Sequence, residues 1–191
     1  EIRGAERFAR EAVAAGVDGV LLVDLPPEEA GEFSPAFAAR GLALILLAAP
    51  TTIDARMALL CELAQGYLYY VSFAGVTGAD QLDAGAAGER LRAIRSRTHV
   101  PVVAGFGIRD AASAAAMAID ADGVVVGSAL MRAADPSAKL AELISRCASL
   151  HADGVVVGSA LVAAIADAAT PGEAASLAAA FLAPLRNALD G

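Results

Sequence analysis

Six short, almost wholly apolar runs, each separated from the next by roughly a helix's worth of chain, set the tightest limit on what this sequence can fold into. They are Val20 to Val23, Leu42 to Leu47, Tyr67 to Val71, Val100 to Val103, Gly123 to Val126 and Val155 to Val157. Runs of this length and composition read as strands buried on both faces, which requires a parallel sheet covered by helices. The intervening segments carry helical periodicity. Ala5 to Ala14 places Ala5, Phe8, Ala9, Ala12 and Val13 on one face, with Gly16 as its stop. Pro26 and Pro27 end the first strand, and Glu28 and Glu29 suit the first turn of a second helix. Asp54 is placed to cap a third, in which Met57, Leu60, Cys61 and Ala64 share a face. A Gly-rich loop follows the third strand to about Gly85. The next helix, near Ala87 to Ser96, turns Leu91 and Ile94 inward and Arg90, Arg92, Arg95 and Arg97 mostly outward. The last is expected from about Gly172 to Leu189, kinked at Pro184.

Within this rhythm one stretch repeats. Ala121-Asp122-Gly123-Val124-Val125-Val126-Gly127-Ser128-Ala129-Leu130 recurs residue for residue as Ala152 through Leu161. The offset is about one βα unit, so residues 121–151 read as a duplicated or inserted module. No linker divides the chain, which therefore reads as one domain over residues 1–191. An eight-stranded barrel typically takes about 250 residues. Six strands in 191 residues predict an α/β fold, a partial TIM-type (β/α) barrel of about six parallel strands with covering helices. Its two open edges invite self-association.

Composition narrows the partners. Apolar types make up 57% of the chain and charged ones 19%, which excludes a disordered polypeptide. The formal charge of −8 argues against nucleic acid, since phosphate backbones select basic surfaces. A small anion remains possible, because backbone N–H groups at a helix start bind phosphate without any lysine. The longest uncharged stretches, Gly41 to Ile53 and Gly66 to Ala79, fall short of the roughly 20 apolar residues of a membrane span. No leader is visible, and a cytoplasmic location is expected. Cys61 and Cys147 read as buried small hydrophobes in a reducing compartment. With two histidines and no Cys/His cluster, neither a metal nor a cofactor is expected.

Glycines concentrate at the strand ends. They occur in Gly75-Val76-Thr77-Gly78, in Gly105-Phe106-Gly107-Ile108, and in the pairs Gly127-Ser128 and Gly158-Ser159 that close the two decapeptides. Glycine there lets the backbone approach a ligand, and the next helix adds N–H donors and a positive dipole end. Any one of these glycines would be explained by a tight turn. Three in successive units, the last followed by serine, point to a phosphate site of the kind (β/α) barrels build from their last strand ends.

These motifs, in this order, carry a resemblance. Gly16-Val17-Asp18-Gly19-Val20 leads into Val23-Asp24-Leu25-Pro26. Tyr67-Leu68-Tyr69-Tyr70-Val71-Ser72 leads into Gly75-Val76-Thr77-Gly78, followed by Gly105-Phe106-Gly107-Ile108 and Gly-Ser-Ala-Leu. The series resembles the α subunit of tryptophan synthase over nearly the whole chain, except the unit between the decapeptides. That family cleaves indole-3-glycerol phosphate to indole and glyceraldehyde 3-phosphate by a retro-aldol reaction, and passes the indole to a β subunit. The resemblance implies that Gly78, Phe106, Gly107 and a Gly-Ser pair (Gly127 and Ser128, or Gly158 and Ser159) hold the phosphate of a small phosphorylated substrate. It places Tyr69 at the active-site tyrosine and Thr77 at the threonine of an active-site loop. Asp24 and Pro26 fall where the family's fourth strand meets the active site and the partner. From the residues alone, Tyr69 reads equally as a half-buried strand aromatic, and Asp24 as a helix cap.

The resemblance further implies that these residues start in the helix after the family's third strand. The family's two catalytic carboxylates, a Glu acting as general acid/base and an Asp at the indole nitrogen, then fall outside them. Catalysis by this stretch alone is expected to be impaired. Two other readings stay open at this point. One is a non-catalytic phosphate-binding barrel fragment or scaffold. The other is a barrel like indole-glycerol-phosphate synthase, whose closing unit Gly127 to Arg132 with Asp135-Pro136 is similar to; it needs a strand lysine, and Lys139, the single lysine, falls on a helix.

Overall fold

The computed structural model describes residues 4–71, 84–105, 111–126 and 154–190. Helices and parallel strands alternate along them, and the six strands follow chain order. This is the expected partial (β/α) barrel. The chain groups into two compact units, Glu1–Val71 with Leu91–Val103, and Ser72–Arg90 with Ala104–Gly191.

The first unit contains α1 (Ala5–Ala14), β1 (Gly19–Leu21), α2 (Ser34–Ala38), β2 (Ala43–Ala48), α3 (Asp54–Leu63) and β3 (Leu68–Val71). It also takes the end of α4 (Ala84–Arg95) and the start of β4 (Val102–Gly105). β1 pairs with β2 through Gly19↔Ala43 and Leu21↔Ile45, and β2 with β3 through Leu46↔Leu68 and Leu47↔Tyr69. α1 packs on α2, and α2 and α3 pack on β2. Leu44, Leu46, Ala48, Leu68 and Tyr70 are buried on one face of the sheet, whereas on the other Ile45 is buried but Ala43, Leu47, Tyr69 and Val71 are only half-buried. Helices covering one face explain the difference, since side chains alternate across a strand.

Several local outcomes depart from the sequence reading, each for a physical reason. The helix expected after Pro27 is a 3₁₀ turn, Pro27–Glu32, followed by the short α2. Pro35 has no N–H for the carbonyl of Gly31, and its ring would clash with that carbonyl, so one continuous helix cannot form. Asp54 is the first residue of α3 and not its cap. Ile53 holds the cap position, and the Asp54 carboxylate sits in the first turn, where the helix dipole favours it. β4 begins two residues later than expected. The Thr98 hydroxyl accepts the Val100 N–H at 3.4 Å and donates to the Cys61 carbonyl at 3.4 Å. Pro101 brings no N–H, and its carbonyl accepts the Leu68 N–H at 2.9 Å, so the ladder starts there. On α1 only Ala9 of the predicted face is fully buried. Phe8 is 39% exposed, with its ring centroid 5.9 Å from that of Phe37.

The second unit contains the start of α4, the end of β4, α5 (Ala111–Ala118), β5 (Gly123–Val126), β6 (Gly154–Val157), α6 (Ser159–Ala164) and α7 (Pro171–Asp190). α5 packs on β5, and α6 on α7. The Thr170 hydroxyl accepts the Glu173 N–H at 3.1 Å, and the Glu173 carboxylate accepts the Ala169 N–H at 2.9 Å. This reciprocal cap, with proline next at the first helical position, starts α7 at Pro171. The helix continues through the exposed Pro184 to Asp190. Gly105 ends β4 under Val125 of β5. A Cβ there would collide with the Val125 Cβ and stand 3.0 Å from its carbonyl oxygen, so the spacing of these strands requires glycine.

Candidate functional site

In a parallel βα sheet the carboxyl ends of the strands are where ligands bind, because the loops leaving them carry the variable chemistry. Three segments of the first unit meet this condition. Asp24 and Pro26 follow β1, the turn Ala49–Thr52 follows β2, and Tyr69 stands in β3 two residues from its end. Neighbouring strands lie about 4.8 Å apart, which puts β1 and β3 roughly 10 Å from one another across β2.

Tyr69 is half-buried on the less covered face of the sheet, level with Leu47. Burial raises the pKa of its phenol above the ordinary 10.0, and the neighbouring Tyr67 raises it further. Tyr67, just before the strand, is raised by burial as well. Both phenols are therefore neutral near pH 7. They can donate or accept a hydrogen bond and offer a ring face, but neither is a ready base.

The approach to Tyr69 is built by residues that the motif reading did not single out. The Gln65 side chain accepts the Leu44 N–H at 3.1 Å and donates to the Ser34 hydroxyl at 3.1 Å. Its own N–H reaches the Leu44 carbonyl at 3.3 Å. One amide thus ties β2, α2 and the lead-in to β3 together. Gly66 follows with φ of 67°, in the left-handed region, where its missing Cβ would lie 3.1 Å from the Ala43 Cβ. The only signal in the sequence was a polar residue between the buried Ala64 and a glycine.

Asp24 is exposed and Pro26 half-buried, in the segment that leaves the carboxyl end of β1. The segment after them is anchored from outside. Arg56 of α3 grips Glu28 with both guanidinium arms, Nε to Oε1 at 2.9 Å and Nη2 to Oε2 at 3.0 Å. This hydrogen-bonded pairing lowers the Glu28 pKa and raises that of Arg56. At the end of β2 the Thr52 hydroxyl accepts the Ala49 N–H at 2.9 Å and holds the turn closed.

Of the phosphate candidates, Gly158 and Ser159 are described. Gly158 is exposed at the end of β6 with open space around it, and Ser159 is the first residue of α6. Thr77, Gly78, Phe106, Gly107, Gly127 and Ser128 lie outside the described residues, as does Cys147. Cys61 is buried and free of any disulfide. Among the described residues no helix is long and apolar enough to cross a membrane.

The family model for the tryptophan synthase alpha chain matches residues 2–146, a range that includes Gly127 to Arg132. The tryptophan synthase alpha chain of Xylella fastidiosa strain 9a5c is 71% identical over 133 residues, covering 70% of this chain and 50% of the relative. That of Xanthomonas euvesicatoria pv. vesicatoria is 59% identical over 191 residues, covering all of this chain and 60% of the relative. A structural study of the tryptophan synthase α2β2 complex of Pyrococcus furiosus provides a similar fold, with a TM-score of 0.57 at 30% identity, over 96% of this chain and 61% of that one. The chain thus spans between half and two thirds of the length of the relatives it matches. It belongs to the tryptophan synthase alpha chain family.

Proposed function

We propose that these residues form the phosphate-binding side of a carbon–carbon lyase that cleaves indole-3-glycerol phosphate to indole and glyceraldehyde 3-phosphate in tryptophan biosynthesis. The observation that carries the reading is the family match over residues 2–146, which takes in every proposed site position except Gly158 and Ser159. Gly78, Phe106, Gly107 and one Gly-Ser pair hold the substrate phosphate through backbone N–H groups, and Thr77 belongs to the loop that covers it. Tyr69 stands beside the substrate as a neutral phenol, consistent with the raised pKa of this half-buried group. Asp24 and Pro26 face the active site and a tryptophan synthase β subunit, the assembly named for the Pyrococcus furiosus relative. The work is done in the cytoplasm.

The bond-breaking step needs a proton delivered to the indole ring and another removed from a hydroxyl. Tyr69 can orient the substrate for this, but its neutral phenol is no substitute for a carboxylate. On this reading that work falls to the family's two carboxylates, a Glu and an Asp on its first three strands. The test is indole release from indole-3-glycerol phosphate by the 191-residue chain, alone and with a β subunit, beside calorimetric binding of glycerol 3-phosphate. Binding without appreciable release is expected. No binding by a folded chain would remove the reading.

A further inference from the structure

The repeated decapeptide gives the second unit two strands of one sequence, and the structure sets them side by side. β5 and β6 are parallel, and the register pairs each residue with its own counterpart: Gly123↔Gly154, Val124↔Val155, Val125↔Val156 and Val126↔Val157. A one-residue slip would turn every side chain to the opposite face, so the register keeps the two copies in phase. We infer that β5 and β6 are interchangeable occupants of the sheet position beside β4, and that residues 121–151 form a unit the fold can lose whole.

The demands of that position are known from β4. Gly105 leaves no room for a Cβ against Val125, so a strand docked there must bring its backbone unusually close, with a valine at that point. β6 brings Val156 to the same register position in an identical four-residue strand. The connection is equivalent too. α5 ends at Ala118 and is joined to the first copy through Ile119 and Asp120. Removing residues 121–151 joins Asp120 to Ala152, and the sequence then reads unchanged through ten residues to Leu161. Neither the link from α5 to the strand nor the strand itself is altered. α6 begins within the second copy, at Ser159, α7 comes after it, and the two pack on each other, so they keep their own neighbour.

Interchangeability makes a prediction that simple duplication does not, namely that damage to one copy is buffered by the other. Val124 is fully buried, and an aspartate there would place a carboxylate in an apolar strand. In the 191-residue chain, Val124→Asp alone and Val155→Asp alone should each keep a cooperative thermal transition, while Val124→Asp with Val155→Asp should lose it. The chain lacking residues 121–151 should also melt cooperatively, with the amides of β4 still protected from hydrogen exchange. Val155→Asp in that shortened chain should abolish both signals. The inference is overturned if Val124→Asp alone unfolds the full chain as completely as the double substitution does. It is equally overturned if the shortened chain loses the β4 protection that the full chain shows.

Discussion

Tyr69 shows how far a single residue can be read from sequence. Its strand and its aromatic character were legible, since the run from Tyr67 to Val71 is apolar and β-forming. Its half-exposure was not, because that depends on which face the helices cover. The raised pKa values of Tyr67 and Tyr69 carry a pH signature. A phenol with a raised folded-state pKa keeps its proton after the unfolded chain has released it. The folded state then binds more protons above the ordinary value of 10.0, and stability falls as pH rises through that window. Tyr69→Phe should flatten the alkaline limb of a stability-versus-pH curve, and the ultraviolet titration of the wild type should show late-ionising phenols. A curve unchanged by Tyr69→Phe and Tyr67→Phe would contradict the burial argument. Within the proposed site, a glycine-to-aspartate change adds charge repulsion where phosphate is gripped by backbone N–H groups. With the first copy adjoining β4 and the second able to replace it, Gly127→Asp should weaken glycerol phosphate binding by calorimetry more than Gly158→Asp does, and the double substitution should abolish it. The reverse pattern would assign the phosphate to the second copy.

The elements between the strands were the least legible part. Leu91 and Ile94 are buried on α4 as periodicity required. The segment after β1 instead broke into a 3₁₀ turn and α2 at Pro35, where proline chemistry outweighed the acidic start signal. What holds that turn in place is the Glu28–Arg56 pair, which spans 28 positions in sequence and so left no local trace. Glu28 has a lowered pKa, chiefly because Arg56 hydrogen-bonds its carboxylate. The pair's contribution is therefore complete above the ordinary value of 4.5 and is lost as pH falls through the lowered one. Both side chains are exposed, so the effect on global stability should be small and should fade with added salt. Arg56→Gln should return the Glu28 titration, followed by NMR, to the ordinary carboxyl range. It should also loosen the 3₁₀ turn, seen as faster amide exchange over residues 27–33. An unmoved Glu28 titration would show that the pair does not persist in solution.

For the whole molecule, strand count and edges matter more than any single contact. Among the described residues, β1 in the first unit pairs only with β2, and β6 in the second only with β5. Unpaired, uncharged edges of this kind template association. Light scattering of the 191-residue chain should report dimers or larger species, and a sharp monomeric peak would count against this. On the proposed reading, indole release by the same chain should be lower than that of its longer relatives by about 10² to 10⁴, the usual effect of removing general acid/base groups. Turnover near the family level would show that other residues supply those protons.

The sequence by itself determined the parallel βα order, the extents of α1 and β5, and the inward residues of α3 and α4. Each of these follows from local periodicity and from the special backbone chemistry of glycine and proline. The tertiary structure decided the phase of β4, the in-register pairing of the two copies, the Gln65 bridge and the anchoring of the turn after β1. Those depend on groups far apart in the chain finding one another: Thr98 with Cys61, Gly105 with Val125, Gln65 with Leu44 and Ser34, Arg56 with Glu28. Local propensity carries no information about such partners, because the energy of each contact exists only once packing has brought both sides together.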